Sequence, residues 1–351
     1  MIVGVVIIGT GITKFGELWA KNWEELVLEC CFESIEKSNL EPKDIDFCYV
    51  GNMGLSRFEG QDHIAPRITE ILNISKVIRT EAACASGSVA LKLGVNELEA
   101  SLKRNKVGLI VGFEKMTDRI TGHTTTILAG ASHLDTEVIS GATFPGLYAI
   151  MANRYIYETG ADENDLHAVA IKNHKNAMLN EKAMFRREIN LQDFKSDVAS
   201  PLKLLDCSPV SDGAASLIIT TEEYAKELGV EYVKLEGIEV RTSTEILCLE
   251  SAGLAKRGEG YKLVRSLKPY EEINKRKAPI PYLVDNKEIY VNTSGGLKAK
   301  GHPVGATGVA QIVEIVNQLL GRCGNRNIYP KIGAAVNVGG TGGSATFSIL
   351  R

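Results

Sequence analysis

Several features are scarce or missing in this chain of 351 residues. Its seven cysteines include no CxxC pair, which disfavours a disulfide framework and is typical of a reducing cytoplasm. No apolar run approaches the roughly 18 residues that a membrane span requires. The opening residues, MIVGVVIIG, lack a basic segment and a cleavage site, so they indicate a strand rather than a signal peptide. We therefore expect a cytoplasmic protein with no membrane association.

Three ligand-binding patterns are also incomplete. The net charge of −3 gives no support for nucleic-acid binding. Gly9–Gly16 (GTGITKFG) carries Lys14 where a dinucleotide fingerprint needs its third glycine, and Ala306 and Thr307 stand where a phosphate loop needs Gly and Lys. His167 and His174 lie about two turns apart on a predicted helix without a carboxylate–cysteine cluster, which disfavours a metal site.

The chain opens with a strand, a helix and a strand, at Val3–Ile8, Trp23–Lys37 and Ile45–Val50. This order predicts an α/β fold with a parallel sheet covered by helices. Later segments extend the pattern. Further strands are predicted at Lys106–Gly112, Ala214–Thr220 and Tyr232–Val240, and further helices at Pro145–Tyr157, Asp162–Leu179 with Asp162 as N-cap, Thr244–Ala252 and Val309–Leu320.

Two long stretches show little periodicity. Arg119–Pro145 is rich in Thr, Ser and Gly and is predicted to be a loop that covers a site or contacts a partner. Lys256–Lys277 is charged and predicted to be irregular; its basic residues are read as a solvated surface rather than a phosphate site. Asp285-Asn286-Lys287 predicts a hairpin turn between two short strands.

Cys84 stands out in Val77–Ser88 (VIRTEAACASGS), where a predicted strand meets an amphipathic helix over roughly Ser88–Lys103. A cysteine at a helix N-terminus is in a position where the unpaired N–H groups and the helix dipole favour the thiolate. The small residues around it leave room for a substrate. A free cysteine is also often an inert core residue, so this stretch alone leaves both interpretations open.

Two glycine-rich segments supply groups that a cysteine nucleophile needs. Val291–Gly308 (VNTSGGLKAKGHPVGATG) places His302 between Gly301 and Pro303, a position that is unusual for a core histidine and suits a general base next to a cysteine. Gly333–Leu350 joins two strand-like runs by NVGGTGG, whose backbone N–H groups could turn inward to hold an oxyanion. The alternative for NVGGTGG is a plain hairpin between edge strands.

These segments, together with others, resemble the thiolases, and specifically the archaeal acetoacetyl-CoA thiolases related to the sterol-carrier-protein type. The matching pieces run in order from Val3 to Leu350. They are GITKFGELW, YVGNM, EAACASGS, EKMTD, GATFPGLYAIMANRYIY, CSPVSDGAA, SGGLKAKGHPVGATG and NVGGTGGS. The resemblance implies a five-layered αβαβα fold of two duplicated halves. We expect residues 1–230 to form the first half, with a loop insertion at about 113–205, and residues 231–351 the second, in a homodimer or tetramer.

The resemblance also implies how the site works. Cys84 would take an acetyl group from acetyl-CoA, and His302 would deprotonate Cys84 and help to bind the thioester oxygen. The N–H groups of Cys84 and Gly339 would form an oxyanion hole. The product would be acetoacetyl-CoA at the head of the mevalonate route, with no cofactor beyond the coenzyme A thioester. The expected substrate-binding residues are Ser294, Gly295, Gly296, Asn337 and Gly340.

One expected motif is missing. The archaeal type carries a His-Asp-Cys-Phe segment in its second half, whereas this chain continues after Val240 with RTSTEILCLESAGLAKRGEG. The missing segment would supply an acid/base and orient an oxyanion-hole water. Cys248 is disfavoured as a replacement acid. The alternative function is therefore a thiolase-fold scaffold with little or no condensing activity. A β-ketoacyl synthase-like enzyme is a weaker alternative because it needs two histidines, and only His302 is suitably placed.

The resemblance further implies partner proteins. Thiolases of this type assemble with 3-hydroxy-3-methylglutaryl-CoA synthase through a small zinc-containing OB-fold protein. We expect the contact surface at Arg119–Pro145 and at the following helix, where packing within the homodimer or the core is the simpler alternative. The aromatic and apolar residues of that helix are Phe144, Leu147, Tyr148, Met151 and Tyr155.

Overall fold

The computed structural model describes residues 4–103, 105–241 and 256–351. Their contacts divide them into two units. The first comprises residues 4–127, 211–241 and 303–351, and the second comprises residues 128–210 and 256–302. The predicted helix Thr244–Ala252, which includes Cys248, lies outside the described residues.

The described strands and helices alternate along much of the chain. The strands are β1 (Val5–Ile12), β2 (Phe47–Gly51), β3 (Val77–Thr80), β4 (Gly108–Glu114), β5 (Asp197–Ala199), β6 (Leu202–Lys203), β7 (Gly213–Thr221), β8 (Val233–Arg241), β9 (Tyr282–Val284), β10 (Lys287–Ile289), β11 (Gly333–Gly339) and β12 (Ser344–Leu350). The helices are α1 (Trp23–Lys37), α2 (Leu55–Glu59), α3 (Ile64–Leu72), α4 (Ser86–Glu99), α5 (Thr121–Ala129), α6 (Phe144–Thr159), α7 (Glu163–Ala177), α8 (Glu222–Leu228), α9 (Gly260–Arg265), α10 (Gly296–Lys300) and α11 (Thr307–Leu319).

The first unit is built on an eight-stranded mixed sheet with the order β11-β12-β8-β1-β7-β4-β2-β3. Only β2 pairs in parallel, with β3 and with β4, whereas the other neighbours are antiparallel. The prediction of a parallel sheet is therefore wrong for most of its pairs. The strands β1 and β2 do run in the same direction, but β7 and β4 lie between them, and β7 runs the opposite way.

Helices cover both faces of this sheet, as predicted. On one face, α1 and α3 bury apolar side chains against the sheet, among them Leu26, Val27 and Ile68. On the other face, α4 and α11 share a core with strands from both ends of the chain, including β1, β8 and β12. The layer formed by α4 and α11 therefore joins the early and late parts of the sequence.

Glycines allow the segment just before α11 to approach both α4 and the sheet closely. A Cβ on Gly87 would lie 2.6 Å from the carbonyl oxygen of Gly305, and a Cβ on Gly112 would lie 2.5 Å from the same oxygen. Such distances exclude any larger residue unless the backbone shifts. The glycines around Cys84 and in the GHPVG segment thus have a packing role at one point of the first unit.

Two stretches of the chain contain more helix than the sequence predicts. The stretch Arg119–Pro145 holds α5 and a single π-helical turn, Leu134–Val138, instead of a plain loop. Lys256–Lys277 holds α9 and a short 3-10 helix, Tyr270–Lys275. These helices were missed because they are short and lack a clear apolar period; α9 is fixed by burial of Leu263 and Val264 rather than by its own pattern.

Several local predictions are confirmed. The bounds of α1 match those predicted, and α7 begins after Asp162, whose side chain accepts a hydrogen bond from the backbone N–H of Asp165. The strands β9 and β10 form the predicted hairpin, in which Asp285 and Asn286 both have positive φ.

Among residues 4–103, 105–241 and 256–351, no helix is both long enough and apolar enough to span a membrane.

Candidate active site

Cys84 lies in a tight turn between β3 and α4. The turn is a single 3-10 helix, Ala83–Ala85, and Ala83 has a positive φ of 49°. The hydroxyl of Ser86 accepts a hydrogen bond from the N–H of Ala82 at 2.9 Å and donates one to the carbonyl of Ala83 at 2.6 Å. The half-buried cysteine is therefore held on a strained backbone that the first residue of α4 stabilises.

Burial dominates the ionisation of this thiol. It raises the pKa of Cys84 to about 11, and the negative charge of Glu114 acts in the same direction. A hydrogen bond from the backbone of Gly340 lowers the pKa but does not offset the burial. The helix N-terminus that we expected to favour the thiolate is thus outweighed, and a base must remove the proton at neutral pH.

The NVGGTGG segment reaches the cysteine turn. It links β11 and β12 as a hairpin in which Gly339 pairs with Ser344, and Gly340 and Gly342 have positive φ. A Cβ on Gly339 would lie 2.3 Å from the carbonyl oxygen of Ala82. The segment is thus a hairpin, as the simpler interpretation holds, and its glycines also lie against the turn that carries Cys84.

Asn337 lies on β11 two residues before Gly339 and is buried. The hydroxyl of Ser88 donates a hydrogen bond to its side-chain oxygen at 2.8 Å. Gly308 packs into the same point, since its Cβ would lie 2.0 Å from the Ser88 hydroxyl and 2.7 Å from the Asn337 oxygen. The structure therefore brings four predicted positions of the first unit together: Cys84, Asn337, Gly339 and Gly340.

The buried carboxylate at the end of β4 was not predicted. Glu114 ends β4 and is fully buried. Burial raises its pKa to about 7, opposed by hydrogen bonds from the N–H groups of Met53, Gly54 and Gly305. The only signal in the sequence is that the EKMTD motif places a charged residue directly after an apolar strand.

In the second unit, Ser294 and Gly295 end the loop that leads into α10, whose first residue is Gly296, and this loop packs on α7. The side-chain amide of Asn180 donates to the carbonyl of Ser294 at 2.9 Å. Gly295 has a φ of 108°, and a Cβ there would lie 2.6 Å from the Cβ of Ala177. This loop therefore needs glycine for both its conformation and its packing.

A fully buried lysine on α7 supports the same loop. The Nζ of Lys172 donates to the carbonyl of Val291 at 2.6 Å and lies 4.7 Å from the centre of the Tyr282 ring. Burial lowers the pKa of Lys172 to about 7. Nothing in the sequence marked this residue, because a lysine on a helix is normally solvated.

The histidines of the second unit have distinct surroundings. His302 is half-buried, and burial lowers its pKa to about 4, so its imidazole is neutral near pH 7. His167 has an acidic partner that we did not expect, because its Nδ1 lies 3.0 Å from a carboxylate oxygen of Asp206. Lys298 also faces that carboxylate. The described part of the chain holds no group of three or more side chains suited to a metal ion.

Comparison with known proteins identifies the family to which this chain, with its half-buried cysteine beside a glycine hairpin, belongs. The family model for the thiolase N-terminal domain matches residues 5–223, and the model described as thiolase C-terminal domain-like matches residues 283–351. The chain belongs to the thiolase family. The α/β architecture, with its large mixed sheet between helices, is accordingly a thiolase fold.

Known thiolases and related structures cover nearly the whole chain. An acetyl-CoA acetyltransferase of Methanocaldococcus jannaschii is 38% identical over 99% of this chain and 98% of its own length. The solved acetyl-CoA acetyltransferase of Syntrophomonas wolfei has a TM-score of 0.73 at 18% identity, covering 100% of this chain and 99% of its own. The Ltp2-ChsH2(DUF35) aldolase structure has a TM-score of 0.77 at 20% identity, covering 98% and 97%.

The alignment with the Methanocaldococcus relative also shows that this thiolase is shorter. It spans 390 positions with the Methanocaldococcus relative, whereas the chain has 351 residues, so at least 39 positions of that alignment have no residue here. The C-terminal family model begins only at residue 283, and residues 224–282 lie outside both models. Both facts agree with the absence of the His-Asp-Cys-Phe segment from the sequence.

Proposed function

We propose that this thiolase is an acetyl-CoA C-acetyltransferase that condenses two acetyl-CoA molecules into acetoacetyl-CoA through an acetyl-Cys84 intermediate. The observation that carries the proposal is the position of Cys84 against Gly339 and Gly340. A thiol that burial keeps protonated, next to backbone donors, suits a nucleophile that ionises only when a base acts. The full-length archaeal relative named as an acetyl-CoA acetyltransferase supports the substrate.

In the first half-reaction, His302 takes the proton of Cys84 and the thiolate attacks the thioester carbonyl carbon. The N–H groups of Cys84 and Gly339, with His302, hold the oxygen that becomes negative. The carbon–sulfur bond to coenzyme A then breaks, and the departing thiolate takes the proton back from the imidazolium. In the second half-reaction, the α-carbon of the second acetyl-CoA loses a proton, and the resulting carbanion attacks the carbonyl carbon of acetyl-Cys84 and forms the carbon–carbon bond. The bond from that carbon to the Cys84 sulfur breaks, and the expelled thiolate takes up the proton, which restores the free thiol.

His302 is assigned this role because the GHPVG segment resembles the thiolase motif that supplies the base, and its imidazole is neutral near pH 7. Its position in the sequence also fits. Cys84 and His302 each stand three residues before a glycine, and these glycines, Gly87 and Gly305, pack against each other in the first unit. The thioester substrate is further contacted by Ser294, Gly295, Gly296, Asn337 and Gly340, and no cofactor takes part.

Radiolabelled acetyl-CoA tests the first half-reaction. After incubation and removal of unbound acetyl-CoA, we expect the labelled acetyl group on Cys84, identified by peptide mapping. Cys84→Ser should carry no label, and Cys207→Ser, which changes a half-buried cysteine of the second unit, should label like the wild type. Label that survives Cys84→Ser, or no label on the wild type, would refute the acyl-enzyme.

The cellular role proposed is the first step of the mevalonate route in the cytoplasm. Condensation of two acetyl-CoA is uphill, so a coupled next step would draw it forward. We propose a complex with 3-hydroxy-3-methylglutaryl-CoA synthase and a zinc OB-fold protein; one structural neighbour is itself a complex with a DUF35 protein. Of the residues of α6, only Ala149 is buried, and Tyr148, Ile150 and Tyr157 are exposed, so this helix offers apolar surface for a subunit or a partner.

Size-exclusion chromatography of the three co-expressed proteins tests the complex. We expect co-elution, and Tyr157→Ser and Ile150→Ser together should weaken it. Elution of this chain as an isolated homodimer or tetramer at micromolar concentration would contradict the complex.

The second candidate function is a thiolase-fold scaffold with little condensing activity. The positions absent relative to the archaeal relative favour it, since the missing segment would supply an acid/base and a water-orienting residue. Loss of one oxyanion donor lowers the rate by roughly 10²–10³. Steady-state thiolysis of acetoacetyl-CoA separates the two functions. A turnover of the order of 1–10³ s⁻¹, typical of enzymes, would exclude the scaffold, whereas Cys84 labelling without turnover would support it.

A further inference from the structure

Glu114 lies where three segments of the first unit meet. It is the last residue of β4, and its carboxylate reaches the loop after β2 and the segment that begins α11. One carboxylate oxygen accepts from the Asn52 side-chain amide at 2.8 Å and from the N–H of Gly54 at 3.0 Å. The other accepts from the N–H of Met53 at 2.9 Å and of Gly305 at 3.2 Å.

Four donors and no acceptor surround this carboxyl group in these contacts. A carboxylate can accept all four hydrogen bonds, whereas a neutral acid or an amide would turn a donor toward at least one N–H. The arrangement therefore favours the charged form and opposes the effect of burial, which raises the pKa of Glu114 to about 7. Arg79 on β3 supplies the nearby positive charge, and its guanidinium donates to the carbonyl oxygens of Asn52 and Met53.

The Gly305 end of this network leads back to Cys84. The carbonyl of Gly305 packs on Gly87, the second residue of α4, while its N–H is held by Glu114. Of the titratable groups that act on the Cys84 thiol, Glu114 and Glu81 are the acidic ones. The carboxylate thus acts on the thiol turn in two ways. It holds Gly305, which packs on α4, and its negative charge acts on the Cys84 thiol.

We propose that Glu114 is a positioning residue for Cys84: its carboxylate fixes the Asn52–Gly54 loop and the Gly305 segment around the thiol turn, and its negative charge acts together with burial to keep the thiol protonated until a base acts. This inference rests on the proposed acyl transfer for its purpose. Its contacts and its effect on the thiol do not depend on turnover.

Alkylation of Cys84 by iodoacetamide, measured against pH on the full chain, tests the electrostatic part without any acetyl transfer. Glu114→Gln removes the charge, so the thiol should alkylate about 2- to 10-fold faster at a fixed pH below its pKa. Glu114→Asp keeps the charge but is one methylene shorter, and should alkylate as the wild type does. Glu97→Gln makes the same change on α4, where Glu97 pairs with Lys76 and Lys106, and serves as the matched control.

Acetyl transfer tests the positioning part. Both Glu114 variants should lower kcat by about 10- to 100-fold with KM changed far less, because they misplace groups rather than remove a substrate contact. Equal alkylation rates in Glu114→Gln and wild type would overturn the proposal, as would a normal kcat in Glu114→Asp. If Glu114→Gln fails to fold, the Asp variant decides through its kcat. A wild type that alkylates as expected but never acetylates would refute the proposed function and leave the effect of Glu114 on the thiol intact.

Discussion

The hydroxyl of Ser88 donates a hydrogen bond of 2.8 Å to the side-chain oxygen of Asn337, two residues separated by 249 positions in the chain. The contact fastens α4, which follows Cys84, to β11, which leads into Gly339 and Gly340. Both side chains are buried, so water cannot replace the bond. The cysteine turn and the glycine hairpin are therefore linked one turn away from the thiol.

Ser88→Ala should lower the free energy of unfolding by about 1–3 kcal/mol, because a buried amide oxygen loses its donor. Urea unfolding followed by circular dichroism measures the change. Thr126→Ala removes an exposed hydroxyl that donates to the carbonyl of Gly122, and should stay within about 0.5 kcal/mol of the wild type. Equal losses in the two variants would show that the Ser88–Asn337 bond contributes nothing specific.

Gly339→Ala should impair the acyl transfer strongly. The new Cβ would lie 2.3 Å from the carbonyl oxygen of Ala82, so the Cys84 turn or the hairpin must move. A displacement of about 1 Å at the reacting groups lowers the rate by about 100-fold. The readout is the rate of labelling by acetyl-CoA.

Gly343→Ala is the matched control in the same hairpin. A Cβ at Gly343 meets no heavy atom within 4 Å, and its φ is not in the left-handed region. This variant should label at the wild-type rate. If Gly339→Ala also labels normally, the close approach of the hairpin to the cysteine turn is irrelevant to catalysis.

The free thiol of Cys84 should titrate far above an ordinary cysteine. Burial raises its pKa to about 11, compared with about 8.5 for an exposed thiol. The rate of alkylation by iodoacetamide should still be rising at pH 9–10, with Cys84→Ser giving the background. A plateau below pH 8 would show that the thiolate is stabilised in the free protein, contrary to this expectation.

Lys172 should make the stability depend on pH in the alkaline range. Burial lowers its pKa to about 7, so the folded state binds fewer protons than the unfolded state between about pH 7 and 10.5. Its contribution to stability is therefore complete above pH 10.5 and is lost as the pH falls through 7. Lys172→Met should remove this term.

The measurement is the difference in unfolding free energy between wild type and Lys172→Met at several pH values. We expect it to shift in favour of the wild type by about 3–5 kcal/mol from pH 7 to 10.5. The comparison with Lys275→Met controls for the loss of an exposed lysine. A difference that stays flat with pH would mean that Lys172 remains charged in the folded protein.

Local sequence was sufficient for much of the secondary structure. The apolar spacing predicted α1 with its bounds, Asp162 marked the start of α7, and Asp285-Asn286 marked a hairpin. It was insufficient for α5, α9 and the sheet partners. The helices α5 and α9 are stabilised by what they pack against, and no local pattern reveals that β7 separates β1 from β4.

The features of the candidate site also divide into those visible in the sequence and those that depend on the fold. The reactive groups could be recognised from the sequence, because a cysteine among small residues, a histidine between glycine and proline and a run of glycines are visible as short motifs. The folded chain was needed to find that Gly339 lies against the turn of Cys84, that four donors converge on Glu114 and that Lys172 is buried. Motifs depend on neighbours along the chain, whereas the hydrogen-bond partners of Glu114 lie 60 to 191 positions away from it and that of Lys172 lies 119 positions away.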